Sequence, residues 1–452
     1  MFFKIIKKFS ITRLLELDSL KEAIRSFRKW DLEREEKVLE AVIRSSFLNL
    51  LARGIGYLKN VAIAVLLGFS AKTDGYFMAL SLLGIFIIFS DVFESIGVPN
   101  LVKARQENMG EFKRLSGFLF AFALTLAILS SVFAFLLMPL ILKIPLGFKE
   151  EALNYLKVSY LLLLPYLFFS FIFQHFGAVL RSLRRFTAYF VAEFIISLSS
   201  FLMILFGLLA FRDYWVLPLS LALSQLIGTL FITFKGREFF HLRFYKDEKV
   251  KTILKCFFQL SILYGVFHLY IMVDRAFASI LPERSVSALS YGLVILTGLK
   301  GILKIENVAM TSLSEARGSL EKLNFYIEKL LLITVPLSIF LFAFSGLIVR
   351  LLFGYGAFSK VDIDLTSSAL RFYSLSFPFM FLWPIVYRVF QIRGKMRGLV
   401  MIAFSGVLLN GVLNYLFMIE LGLGIVGICL GTFFSYLFLC SIGYIGLKRG
   451  GV

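Results

Sequence analysis

Twelve long apolar segments account for most of this chain, and its basic residues fall in every second gap between them. Loops rich in Lys and Arg stay cytoplasmic during insertion, so this alternation sets spans and direction together. Most of the 48 Lys and Arg residues collect on one side, in the N-terminal segment, the alternate gaps and the C-terminal tail. Both termini are therefore expected in the cytoplasm. A helical span needs about 20 apolar residues to cross roughly 30 Å of hydrocarbon. The sequence places spans near 45–68, 75–98, 115–142, 152–180, 187–211, 214–234, 256–280, 286–312, 327–352, 366–392, 398–419 and 424–447. Runs this long exclude barrel strands, and only helices satisfy their own backbone groups in lipid without closing a barrel.

The fold class expected is thus an all-α polytopic membrane protein, and 59% hydrophobic residues lie far outside the range of soluble domains. The formal net charge of +19 does not point to nucleic acid, because it is spread over short loops on one membrane face. Cys256, Cys429 and Cys440 lie within or at the ends of spans without a CxxC spacing, and read as packing residues. His175, His241 and His268 are scattered, so no zinc site is expected. No phosphate loop, HExxH motif or long soluble segment is present, and the chain reads as neither an enzyme nor a transport ATPase.

Six spans precede the basic stretch 235–255 and six follow it. The organisation expected is a cytoplasmic amphipathic extension (1–44), a first lobe (45–234), a basic inter-lobe loop (235–255) and a second lobe (256–452). An even number of spans per half makes the repeat parallel, about an axis along the membrane normal. Asn60-Val-Ala-Ile-Ala-Val-Leu-Leu can be set against Asp274-Arg-Ala-Phe-Ala-Ser-Ile-Leu, which aligns the two halves. Phe2, Phe3, Ile5, Ile6 and Phe9 among Lys4, Lys7 and Lys8 suit a helix lying on an anionic leaflet, and a solvated extension is the alternative.

Charged groups inside spans are costly and face a cavity or a partner. One group is Arg53 and Lys59, with Asp74 opening the second span. At 3.6 residues per turn Arg53 and Asn60 share a face, and Lys59 sits about 120° from Arg53. A second is Asp274, Arg275, Lys300, Lys304 and Glu306, in which Lys300 and Lys304 lie one turn apart. A third is Asn410 and Asn414, one turn apart, with Thr432 in the last span. Asp91 and Glu94 lie near a cytoplasmic end, where a gate with Lys103 or Arg105 is a natural reading; Glu193 lies within a span, and Arg371 and Arg388 flank the tenth. For each group the alternative is an internal ion pair, a snorkelling cation or a helix–helix hydrogen bond.

Leu352-Phe-Gly-Tyr-Gly-Ala-Phe-Ser-Lys-Val-Asp362 resembles the LFxxGxFxxxD stretch of the MurJ (MviN) lipid II flippases, members of the multidrug/oligosaccharidyl-lipid/polysaccharide exporter superfamily. Arg53-Gly-Ile-Gly-Tyr-Leu-Lys59-Asn, Gly68 and Thr73-Asp74-Gly-Tyr-Phe77 are similar to that family's first-span pattern, R-x-x-G-x-x-R-[DE]…G…TDAFF. Gly177-Ala-Val-Leu before Arg185-Phe186, and Gly427-Ile-Cys-Leu-Gly-Thr432, extend the likeness over about residues 45–449. The chain departs from the pattern where two family arginines fall near Ile87 and Val294, where Lys59 replaces a third, and in stopping after twelve spans.

The resemblance implies two lobes around a central cavity and alternating-access transport of a polyprenyl-diphosphate-linked saccharide across the bacterial inner membrane, lipid II foremost. It assigns the diphosphate to Arg53 and Lys59 with Asp74 orienting one of them, and makes Lys300 or Lys304 the stand-in for a missing arginine. Asp274, Asn410, Asn414 and Thr432 resemble the family's coupling-cation site, which suits sodium. Other readings are a flippase for an O-antigen or capsule unit, a drug/cation antiporter, and a scaffold whose extension docks cell-wall synthesis proteins.

Overall fold

The computed structural model describes residues 32, 35–36, 38–243, 248–303, 312–314 and 316–449. Lys304, Glu306 and residues 1–31 of the amphipathic extension lie outside these residues. Among the described residues, twelve helices are long and apolar enough to cross a membrane, as the charge alternation requires.

The first six are α1 (Val38–Leu67), α2 (Ala71–Glu107), α3 (Met109–Leu136), α4 (Glu150–Ser182), α5 (Phe186–Phe211) and α6 (Val216–Lys235). The second six are α7 (Glu248–Ala278), α8 (Ser285–Leu303), α9 (Leu320–Phe353), α10 (Lys360–Ile392), α11 (Met396–Asn414) and α12 (Gly424–Lys448). A 3-10 turn at Ser374–Ser376 interrupts α10, and a π turn, Tyr415–Glu420, extends α11.

The halves repeat one packing scheme. In the first, α1 packs on α5, α2 on α4, α3 on α4, and α5 on α6. In the second, α7 packs on α11, α8 on α10, α9 on α10, and α11 on α12. Lipid gives little hydrophobic drive for association, so helices seat through small residues that let backbones approach. A Cβ at Gly75 of α2 would lie 2.8 Å from the Leu156 nitrogen of α4, and one at Gly427 of α12 2.7 Å from the Met418 nitrogen after α11. Cys429 and Cys440 are buried packing residues on α12, while Cys256 is exposed. The outward surfaces carry Leu136, Phe206, Phe211, Leu332, Ile339 and Met401, as a lipid-facing wall requires.

The two faces of the bundle differ. The face holding the α2–α3, α4–α5, α6–α7 and α10–α11 connections is called the basic face below. At the opposite face the halves are stitched together by polar groups and an aromatic cluster. Phe69, Tyr291, Phe353 and Phe358, drawn from both halves, pack ring against ring, with Phe69 to Tyr291 and Phe69 to Phe358 each at 4.8 Å.

Candidate functional site

Towards the basic face, the first half forms an open cavity of about 390 Å³. It is lined by Asn49, Ala52 and Arg53 of α1, Ile87, Ser90 and Asp91 of α2, Tyr166, Ser170, Phe173 and Gln174 of α4, Glu193, Ile196 and Ser197 of α5, and Gln225 of α6. Its rim reaches the second half. A Cβ at Gly301 of α8 would collide with the Arg53 guanidinium, so that glycine makes room for it. His268 of α7 places Nε2 3.7 Å from Asp91, beside Gly84, whose missing Cβ lets the imidazole approach.

Arg53 donates from Nε to Asn49 Oδ1 at 3.0 Å and makes no ion pair among the described residues. Lys59 does not line this cavity, and no hydrogen bond or ion pair holds it among the described residues. The two cations expected to share a ligand are separated, as their helical offset anticipates. Ile87 faces the cavity, so an apolar wall stands where the family pattern has an arginine.

Asp74 lies elsewhere. The expectation that it orients Arg53 or Lys59 gives way to a cap on another helix: it accepts from the backbone N–H of Arg284 at 2.6 Å and of Ser287 at 2.8 Å, and from Ser287 Oγ at 2.5 Å. A carboxylate at a helix N-terminus satisfies otherwise unpaired N–H groups and favours the helix dipole. The helix is α8, in the other half, so Asp74 acts as a latch at the face opposite the cavity mouth.

Three further contacts close that face. Ala357 N–H donates to the Val65 carbonyl at 2.7 Å, Tyr291 Oη to the Asn60 carbonyl at 2.7 Å, and Gly147 N–H to Ser279 Oγ at 3.3 Å. Gly68 and Gly356, at φ +66° and +60°, put glycines where the backbones meet. The 352–362 stretch therefore builds the seam, and its Asp362 closes a capping box with Ser359 and receives Arg284 Nη1 at 3.2 Å.

The second half gathers Asp274, Asn410, Asn414 and Thr432 as the sequence suggests. Asp274 Oδ1 accepts from Asn410 Nδ2 at 3.1 Å and Asn414 Nδ2 at 2.9 Å; Oδ2 accepts from Thr432 Oγ1 at 2.6 Å and Tyr373 Oη at 3.0 Å. Asn414 Oδ1 is buried without a partner. One carboxylate with amide and hydroxyl oxygens is a donor set whose chemistry fits a hard cation, and the orphaned oxygen is a further free acceptor.

The remaining candidates disperse. Lys300 donates to the Met380 carbonyl at 2.8 Å and lies over the Phe381 ring, both in its own half. Arg275 reaches across to the Phe77 carbonyl at 2.7 Å and to Ser81 Oγ. Glu94 pairs with Arg181 of its own half, and Arg105 with Glu35, so the gate pairing expected for Asp91 and Glu94 with Lys103 or Arg105 does not form. Arg371 and Arg388 hold Ser345 and Ser314.

Several contributors escaped the sequence reading. Tyr373, Arg284, Gln174 and Gln225 carried no motif; Glu193 was visible as the only acid in an apolar run, without a role.

The sequence profile of the family described as "Lipid II flippase MurJ" matches residues 63–452. A probable lipid II flippase MurJ of Aquifex aeolicus is 26% identical over 399 residues, covering 85% of this chain and 79% of that protein. The Thermotoga maritima protein of the same description is 31% identical over 191 residues, 40% of this chain and 39% of its own length. Among solved structures, a lipid II flippase MurJ in an inward closed conformation superposes with TM-score 0.75 at 21% identity, covering 90% of this chain and 87% of that one. An inward-facing multidrug transporter of the MATE family superposes at 0.68 with 15% identity, covering 89% and 94%.

Proposed function

The chain belongs to the lipid II flippase MurJ family, and from that premise we propose that it carries a polyprenyl-diphosphate-linked saccharide, lipid II foremost, from the cytoplasmic to the outer leaflet of the bacterial inner membrane. The basic face is then cytoplasmic, with both termini on it. The headgroup enters the Arg53 cavity while the prenyl tail stays in the bilayer. The latch of Asp74 on α8 closes the outer face during loading, and must release for the halves to rock and discharge the headgroup outward.

The observation that carries this reading is Arg53: an unpaired guanidinium in a polar cavity within the membrane, with the far face sealed. An intramembrane cation without an ion-pair partner is suited to a charged ligand, and a guanidinium matches the two-oxygen edge of a diphosphate. Lys59 stands outside this cavity and would meet the diphosphate at a later stage of the cycle. Asp274, Asn410, Asn414 and Thr432 would hold sodium, whose charge would couple the second half to the ion gradient.

Native mass spectrometry with lipid II and with bare undecaprenyl diphosphate tests the assignment. Wild type is expected to bind lipid II, and Arg53→Ala to lose about tenfold, the scale of one charge-assisted hydrogen bond. Binding indifferent to Arg53 removes the diphosphate from this cavity.

A further inference from the structure

The cavity's charges do not balance for an anion alone. Arg53 is its single cation, and Asp91 and Glu193 share the wall with it. No direct ion pair joins the three: Arg53 donates to Asn49, Glu193 accepts from the Tyr189 hydroxyl at 2.8 Å, and Asp91 lies 3.7 Å from His268. Arg53 and Arg181 both attract Glu193 at longer range, but Arg181 is itself paired with Glu94, so the neighbourhood holds three carboxylates and two guanidiniums. A headgroup bearing only phosphate charge would satisfy Arg53 and leave the excess of carboxylate unanswered.

A second observation points the same way. Ser90 and Gln225 are 1% and 6% exposed, line the cavity, and have no side-chain partner among the described residues. Gln174, on the same wall, buries its Oε1 without a donor. Buried polar groups are normally paired, so a wall with three idle side chains is built for something that brings its own hydrogen bonds. Arg53, Asn49 and Gln225 bring N–H donors to this wall, so what it leaves unanswered are its pure acceptors: the Asp91 and Glu193 carboxylates and the buried Gln174 Oε1. Among the described residues no cluster of three or more acids, histidines or cysteines could hold a metal ion there. A primary ammonium, with three N–H donors and a positive charge, completes the set.

We infer that this cavity recognises an ammonium group on the saccharide-linked headgroup, with Glu193 and Asp91 as its acceptors and Arg53 holding the diphosphate. The inference rests on the flippase reading. It makes Glu193 and Asp91 specificity residues, and it gives a reason for Ile87: where a second arginine would neutralise the carboxylates, an apolar wall leaves them free. At about 390 Å³ the cavity is at the lower end of ligand pockets and takes part of a headgroup.

The test compares a polyprenyl-diphosphate saccharide carrying a free primary amine with the same lipid after N-acetylation, by native mass spectrometry of the full chain. Wild type is expected to bind the amine form about tenfold more tightly, the scale of one charge-assisted hydrogen bond. Glu193→Gln keeps size and the Tyr189 contact; it is expected to bind both lipids at the level wild type shows for the acetylated one. Arg53→Ala is expected to weaken both lipids alike, which reads the diphosphate contact separately. Asp91→Asn guards against misfolding of the first variant and is expected to lose discrimination in the same sense. Equal wild-type affinity for the two lipids, with the Arg53→Ala loss intact, overturns the ammonium site and leaves the flippase reading standing. Failure of wild type to bind either lipid overturns both.

Discussion

Asp74 of α2 accepts two hydrogen bonds from Ser287 of α8, through the backbone N–H at 2.8 Å and the hydroxyl at 2.5 Å, so one carboxylate of the first half caps a helix of the second. Arg284 N–H adds a third at 2.6 Å. Thr73 joins it, its Oγ1 2.9 Å from Ser287 Oγ. Hydrogen bonds of this kind are made in one state of an alternating-access cycle and broken in the other, so their strength biases the closure of this face.

Asp74→Asn removes the charge from the latch while keeping its shape. Hydrogen bonds to a charged group contribute about 1.5–3 kcal/mol, so losing that charge should shift the closed-to-open ratio by about tenfold. The expected outcome is faster labelling of an Asn60→Cys reporter by an impermeant thiol reagent added from outside, in a background with Cys256, Cys429 and Cys440 replaced. Unchanged labelling would show that the latch does not govern this face.

Gly356→Ala tests the other side of the seam. An L-residue at φ +60° costs about 1–2 kcal/mol by itself, and here the added Cβ also strikes the Val65 carbonyl of the other half. Gly394 supplies the control: it has φ +70° and nothing within 4 Å of a Cβ. Gly394→Ala is expected to carry the strain alone, and Gly356→Ala to open the outer face as well, read by the same thiol reporter.

Topology was legible in this sequence because the bilayer forces it: apolar length and alternating basic loops are demanded of every span. Helix ends were less so. The reading stopped the second span at residue 98, whereas α2 runs to Glu107 and, at 37 residues, is about 55 Å long. A hydropathy window sees only the part in hydrocarbon, and the basic end of α2 projects into water. Asn410 and Asn414 were legible as rare polar groups at one-turn spacing in an apolar helix, and it was the family resemblance that joined Asp274 and Thr432 to them. Tyr373 joins them from α10 with nothing in its neighbourhood to announce it. Asp74 was misplaced because a single sequence shows which charges are intramembrane but not which helix lies opposite. The cavity wall was illegible for the same reason: Glu193, Gln174 and Gln225 come from three helices.

Glu36 provides a contrast between two adjacent acids. It is 4% exposed, accepts from the Thr187 backbone N–H at 2.9 Å and from its hydroxyl, and lies 3.5 Å from the buried Arg44. Glu35 meets Arg105 at 3.4 Å with its own side chain 64% exposed. Removing one partner of a buried pair costs about 3–5 kcal/mol, because the other charge is left uncompensated, whereas an exposed pair contributes about 0–1 kcal/mol. Glu36→Ala is therefore expected to lower the melting temperature in detergent by several degrees and Glu35→Ala to leave it nearly unchanged. Equal shifts would mean that the start of α1 is not anchored to the α4–α5 turn through Glu36.

The Asp274 cluster carries the last prediction. A cation bound there would pull the Asn410 and Asn414 amide oxygens towards Asp274, reversing amides that now donate to it at 3.1 and 2.9 Å. Ligand binding to the folded state alone stabilises by about 2.7 kcal/mol at a hundredfold excess over the dissociation constant. Raising sodium at constant ionic strength with choline as the replacement should therefore raise the melting temperature of wild type. Asp274→Asn should abolish that response, since it removes the one negative charge of the donor set. Thr432→Val should reduce it, by deleting a hydroxyl that sits 2.6 Å from the carboxylate. A wild-type melting temperature indifferent to sodium would make the cluster a structural pin between α7, α10, α11 and α12, with the orphaned Asn414 oxygen a tolerated cost of packing against Gly431.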